Sequence, residues 1–139
     1  MMYTIEKTDW GYELTFGGNM GAEEVSQWYR DWAEILDGHL GPFSVFVDMR
    51  TLIPLNKEAM QPLSQGQKLA RRCGMIRSVV VVQNPATASQ FRRIAGDTGI
   101  NQWVRYIDAN QVEDWRQMGM DWILQGIEPV SEHHPVRSN

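Results

Sequence analysis

The stretch RRCGMIRSVVVVQNP, residues 71–85, decides the fold. Arg71 and Arg72 suit the last turn of a helix, where the dipole is negative, and Gly74 just beyond them suits a helix C-terminus. Ile76 to Val82 follows as a β-branched run interrupted only by Arg77 and Ser78, the composition of a strand covered on both faces. Asn84 then offers a side-chain cap and Pro85 a preset first helical residue. A helix passing into a doubly covered strand, and that strand into another helix, is the repeating unit of a parallel α/β sheet.

Working toward the N-terminus, the segment from Asn56 to Cys73 places Ala59, Leu63, Leu69, Ala70 and Cys73 at helical spacing. Pro62 lacks an N–H and its ring opposes the carbonyl of Glu58, so this helix is expected either to kink or to begin near Met60. Phe43 to Val47 is a short apolar run that reads as a strand ending at Asp48. Before it, Val25, Trp28, Tyr29, Trp32, Ile35 and Leu36 form the inner face of a helix that ends near Gly38, with Glu23 and Glu24 near its positive end. Residues 2–17 alternate in two runs around Asp9, Trp10 and Gly11 and predict a β-hairpin.

Toward the C-terminus, Ala88, Phe91, Ile94 and Ala95 give the helix after Pro85 an inner face, and Gly99 ends it. Trp103 to Ile107 predicts a last strand. Asn110 with Glu113 resembles a capping box that opens a final helix lined by Val112, Trp115, Gly119, Trp122 and Ile123 and closed by Gly126. The order is ββαβαβαβα: an α/β domain with a mainly parallel five-stranded sheet, an N-terminal hairpin and four helices. A single domain is expected over residues 1–126 and a loosely ordered tail over 127–139.

Composition limits the function. At 139 residues with 42% hydrophobic and 22% charged residues, the chain has what a single folding core requires. A net charge of −4 is the wrong sign for holding a phosphate backbone, so no nucleic-acid partner is expected. The longest apolar run, Val79 to Val82, falls far short of a membrane span. With Cys73 as the only cysteine and no apolar signal core in MMYTIEKTDW, a cytoplasmic protein is expected.

The VFVDMR strand end, the passage from Arg71 to Asn84 and the final aromatic helix together resemble the STAS superfamily, in particular its SpoIIAA-like branch, over about residues 2–125. That resemblance implies a bacterial, non-enzymatic regulatory module that binds a protein partner. It also implies a relation to Sec14-type lipid-binding domains, hence the alternative of a carrier or sensor for an apolar, lipid-like ligand. The family's anti-sigma-factor antagonists are switched on a serine after the third strand. Here the corresponding loop, Asp48 to Asn56, holds no serine and only the hydroxyl of Thr51, so the chain departs from the family's pattern at the residue that carries the phosphorylation switch.

Ligands of parallel α/β sheets favour the carboxyl ends of the strands. Asp48, Arg50, Asn56, Asn84 and Asp108 fall there and are the candidate ligand or partner residues; an ion pair and helix caps are their structural alternative. Trp10 at the hairpin tip and Trp103 at the last strand are candidate interface anchors for a loose homodimer. Cys73 sits on an inward face at a helix C-terminus, which disfavours a thiolate. His39, His133 and His134 lack metal-ligand spacing, and no phosphate-binding glycine loop or nucleophile elbow is present. No catalytic residue, metal or cofactor is assigned.

Overall fold

The computed structural model describes residues 2–129. The elements follow the expected order: strands β1 (Tyr3–Lys7) and β2 (Gly11–Gly18), helix α1 (Ala22–Asp37), β3 (Phe43–Leu52), α2 (Lys57–Arg72), β4 (Met75–Val82), α3 (Pro85–Thr98), β5 (Val104–Asp108) and α4 (Trp115–Gln125). The five strands lie side by side in chain order, β1 antiparallel to β2 and the rest parallel.

This sequential order fixes where the helices go. Right-handed crossovers that always step the same way along a sheet put every crossover helix on one face. The inner residues of α1, α2 and α3 accordingly share one core with Val45, Val47 and Met49 of β3 and Val80 and Val82 of β4. Helix α4 follows the last strand, crosses over nothing, and covers the opposite face, packing Trp122 and Ile123 on Phe46, Val79, Val81 and Ile107. The unbroken valine run of β4 is thus split alternately between two cores. Trp122 Nε1 donates to the Ser78 carbonyl at 2.9 Å, and Ser44 Oγ to that of Ile123 at 3.3 Å, fastening α4 to the sheet.

Two boundaries differ from the sequence reading, and a third, the start of α2, falls at the earlier of the two places it allowed. Strand β3 continues past Asp48 to Leu52, because β2 pairs with it as far as Gly18–Leu52. Beyond Val47 the run alternates, with Met49 buried in the large core and Asp48 and Arg50 half-buried on the α4 side, so Thr51 is a strand residue and the loop shrinks to residues 53–56. Helix α2 starts at Lys57, ahead of Met60: Asn56 Oδ1 accepts from Ala59 N at 2.8 Å and holds the first turn in place despite Pro62, which is itself buried in the helix. Helix α4 starts only at Trp115. Residues 109–114 form the connection, and Asp108 Oδ1 at the end of β5 accepts from Asn110 N at 2.9 Å, so Asn110 is bound within a turn instead of opening a capping box with Glu113.

Close approaches explain two glycines. At Gly11 (φ +152°) a Cβ would strike the Ser44 backbone, which lets the hairpin end pair tightly with β3. Gly66 leaves room on α2 for the Trp28 ring, and its carbonyl accepts from Trp32 Nε1 at 3.2 Å. Trp28 and Trp32 stack at 6.1 Å and meet Phe16 and Tyr12 edge-on, filling the space between α1, α2 and the sheet.

Candidate functional site

At the carboxyl end of β3, Asp48 and Arg50 lie two residues apart on one strand face and form a closed pair. Asp48 Oδ1 accepts from Arg50 N and Nε and Oδ2 from Nη2, all at 3.0 Å. This hydrogen bond raises the guanidinium pKa above its ordinary value, so the pair holds Arg50 in its charged form. Its cation also lies 4.1 Å from the Trp115 ring. Beside it, Arg116 of α4 binds both Glu13 carboxylate oxygens and lies over Phe46 at 4.6 Å. Two cation–aromatic layers with their own carboxylates therefore seal the join between α4 and the sheet.

The other three polar candidates are not brought to a common point. Asn56 caps α2, and Asn84 caps α3 by accepting from Ala86 N at 2.9 Å and Thr87 N at 3.4 Å. Asp108 closes the turn after β5. Each spends its side chain on local backbone groups, which is the capping role that short polar residues fill without any ligand.

Trp10 is half-buried against the α4-side core, and its carbonyl accepts from Ser44 N at 3.0 Å. Trp103 is half-buried beneath the Arg71 guanidinium, 3.8 Å from its ring. Cys73 is half-buried against the large core and is the residue that ends α2. His39 Nδ1 lies 2.6 Å from the Tyr12 hydroxyl, between the Tyr12 and Phe43 rings. Among the described residues no group of His, Cys, Asp and Glu could hold a metal; His133 and His134 lie outside those residues.

Two spaces remain. Beneath α1 and α2 is a cavity of about 50 Å³, walled by Trp28, Trp32, Val47, Leu63 and Val80, with Ser78 as a polar contributor. A water occupies roughly 30 Å³, so this space suits one or two such molecules, and a lipid chain would need α1 and α2 to part. Between α2 and α3 runs a much larger open groove, of about 710 Å³.

Its walls follow from helix periodicity. Lys57, Gln61, Ser64 and Lys68 recur along one stripe of α2, and Gln90, Arg93 and Asp97 along one stripe of α3. Leu55, Met60 and Ile94 form the floor. Hydrogen bonds brace both ends: Gln90 donates to the Leu55 carbonyl at 2.7 Å and accepts from Leu55 N at 2.8 Å, while Thr98 Oγ1 donates to Gln67 Oε1 at 3.3 Å.

None of the groove residues is among the sequence candidates. Their signal was present as charge segregation: residues 57–105 carry eight Lys or Arg against two acids, residues 1–56 three against nine, and 106–139 two against six. The net charge of −4 conceals this division.

No helix among the described residues is long and apolar enough to cross a membrane. Comparison with protein-family models, with curated proteins and with solved structures yields no match.

Proposed function

We propose that this chain is a non-enzymatic regulatory or protein-interaction module of STAS, SpoIIAA-like type. The observation that carries the reading is the contrast between the strand ends and the helical face. At the strand ends Asp48, Arg50, Asn56, Asn84 and Asp108 are committed to one another or to backbone groups, which leaves no matched nucleophile, base and oxyanion donor there. The α2–α3 face instead offers an open groove walled by side chains with few internal bonds, a surface suited to contact with another molecule.

The phosphorylation switch of anti-sigma-factor antagonists is not part of the proposal, since Thr51, the only hydroxyl between Asp48 and Asn56, sits within β3. A loose homodimer is, because among the described residues β1 lies at an edge of the sheet with no further strand beside it. Light scattering that stays at 16.0 kDa up to high micromolar protein would reject self-association.

The carrier of an apolar ligand is the second reading, favoured by the apolar cavity under α1 and α2 and weakened by its volume of about 50 Å³. Crosslinking in the source cell, followed by reconstitution of any captured protein with the purified chain, tests the first reading, and native mass spectrometry tests the second. A stoichiometric complex with one defined protein is expected. A retained small molecule without such a complex would replace the module by the carrier.

A further inference from the structure

We infer that the α2–α3 groove is the docking site for an acidic segment of a partner protein; this rests on the interaction-module reading and names the chemistry of the partner. The first argument is charge. Lys57, Lys68 and Arg93 line the groove, and none of them has an ion pair, a side-chain hydrogen bond or a ring contact among the described residues.

The other cations between Lys57 and Arg105 are mostly occupied. Arg71 lies over Trp103, Arg77 and Arg105 over Trp122, and Arg92 over Tyr106; Arg105 also binds Glu128. The groove therefore concentrates uncommitted positive charge on a chain whose total is −4, with Asp97 as the only acid lining it among the described residues. A carboxylate-bearing segment gains Coulomb energy there and is repelled by the acidic remainder, which gives both attraction and placement.

Geometry supplies the second argument. Lys57 and Lys68 are eleven residues apart on one helix, about 16 Å at 1.5 Å per residue. Arg93 lies on the opposite wall. Three cations set out in this way match carboxylates spread along a chain segment and are too dispersed for one small anion. Gln61, Ser64 and Gln65 between them supply hydrogen-bonding groups, and half-buried Met60 gives the floor an adaptable apolar contact.

The same features disfavour nucleic acid. Among the described residues no aromatic ring lines the groove on which a base could stack, Asp97 opposes a phosphate, and three cations neutralise few backbone charges.

The test is a titration of the isotopically labelled full chain, followed by amide chemical shifts. The probe is a synthetic helical peptide of about twelve residues, three turns long, with Glu on one face and Leu on the other. A Gln-for-Glu version of the peptide and a single-stranded oligonucleotide serve as comparison ligands. Saturable binding at about 100 µM or tighter in low salt is expected. Shifts should be confined to residues 57–68 and 90–97, and tenfold or greater weakening should follow Lys57→Glu/Lys68→Glu/Arg93→Glu. The milder Lys57→Gln/Lys68→Gln/Arg93→Gln protein guards against loss of fold in the charge-reversed one and should weaken binding in the same direction.

Equal binding of the Gln peptide, shifts elsewhere, or preferential binding of the oligonucleotide would overturn the inference. The two levels separate cleanly. A reconstituted protein complex indifferent to the charge-reversal variant sinks the groove and leaves the module standing, whereas failure to form any complex sinks the module itself.

Discussion

Gly66 and Trp28 meet so closely that a Cβ on Gly66 would lie 2.2 Å from Cη2 of the indole ring, well inside van der Waals contact. Gly is ordinarily a poor helix residue, worse than Ala by about 1 kcal/mol, so an exposed Gly→Ala in a helix usually stabilises. Here packing reverses the sign. Gly66→Ala is expected to destabilise the protein by about 1–3 kcal/mol as Trp28 is forced off its position. Urea denaturation checks it, and an unchanged or raised midpoint would show that the tryptophan layer can shift at little cost.

Asp48 makes three hydrogen bonds to Arg50, one of them to a backbone N–H. The Arg50 side chain is 37% exposed, so solvent screens the ionic part. Asp48→Ala is expected to cost about 1 kcal/mol, chiefly through the lost bonds. It should also free Arg50 from Trp115, which a shift in Trp115 emission would report against a Trp115→Phe control. Unchanged stability and emission would mean that the pair contributes nothing and that both residues are open to another role.

The two asparagine caps should behave as independent local terms. Asn56→Ala and Asn84→Ala are each expected to lower stability by about 1 kcal/mol, and the double variant by close to the sum, since they serve different helices. Hydrogen exchange should rise first at the amides that lose their acceptors, those of Ala59, Ala86 and Thr87. A loss well above additivity would point to coupling between α2 and α3 through the Gln90–Leu55 brace.

Stability should fall in strong alkali. Burial, then the hydrogen bond to Asp31, pushes the Tyr3 hydroxyl up from 10.0 to about 12, and burial raises Tyr12 and Tyr106 as well. A pKa raised by folding means that the unfolded chain loses its proton first. The Tyr3 contribution is therefore whole below about pH 10 and is lost as pH rises toward 12. Tyr3→Phe should flatten part of that decline in a series of urea midpoints, while an identical decline in both proteins would exclude Tyr3 as its source.

The fold was legible because its signals are local. Four β-branched residues at Val79–Val82, the Asn84–Pro85 cap and the Trp28/Trp32 spacing each depend only on near neighbours in the chain, and each element formed where those signals lie. The end of β3 was misplaced because a distant partner sets it, and the start of α4 because a neighbouring side chain competes for the cap. Nothing near Asp48 announces that β2 will carry β3 on to Leu52, and the Asn110–Glu113 pattern cannot reveal that Asp108 has already taken the Asn110 N–H.

What the sequence alone determined is therefore the alternation of elements, the inner faces of the helices and the Asn84–Pro85 cap, all consequences of periodicity and short-range backbone chemistry. Tertiary structure decided the rest. The sequential strand order placed α1, α2 and α3 on one face and left α4 on the other, tying Asp48 and Arg50 into the seam under Trp115. It also set α2 beside α3 so that Lys57, Lys68 and Arg93, separated by up to thirty-six positions in the chain, line one groove. Charge can be counted along a chain, but a site exists only where packing brings the charges within reach of a common ligand.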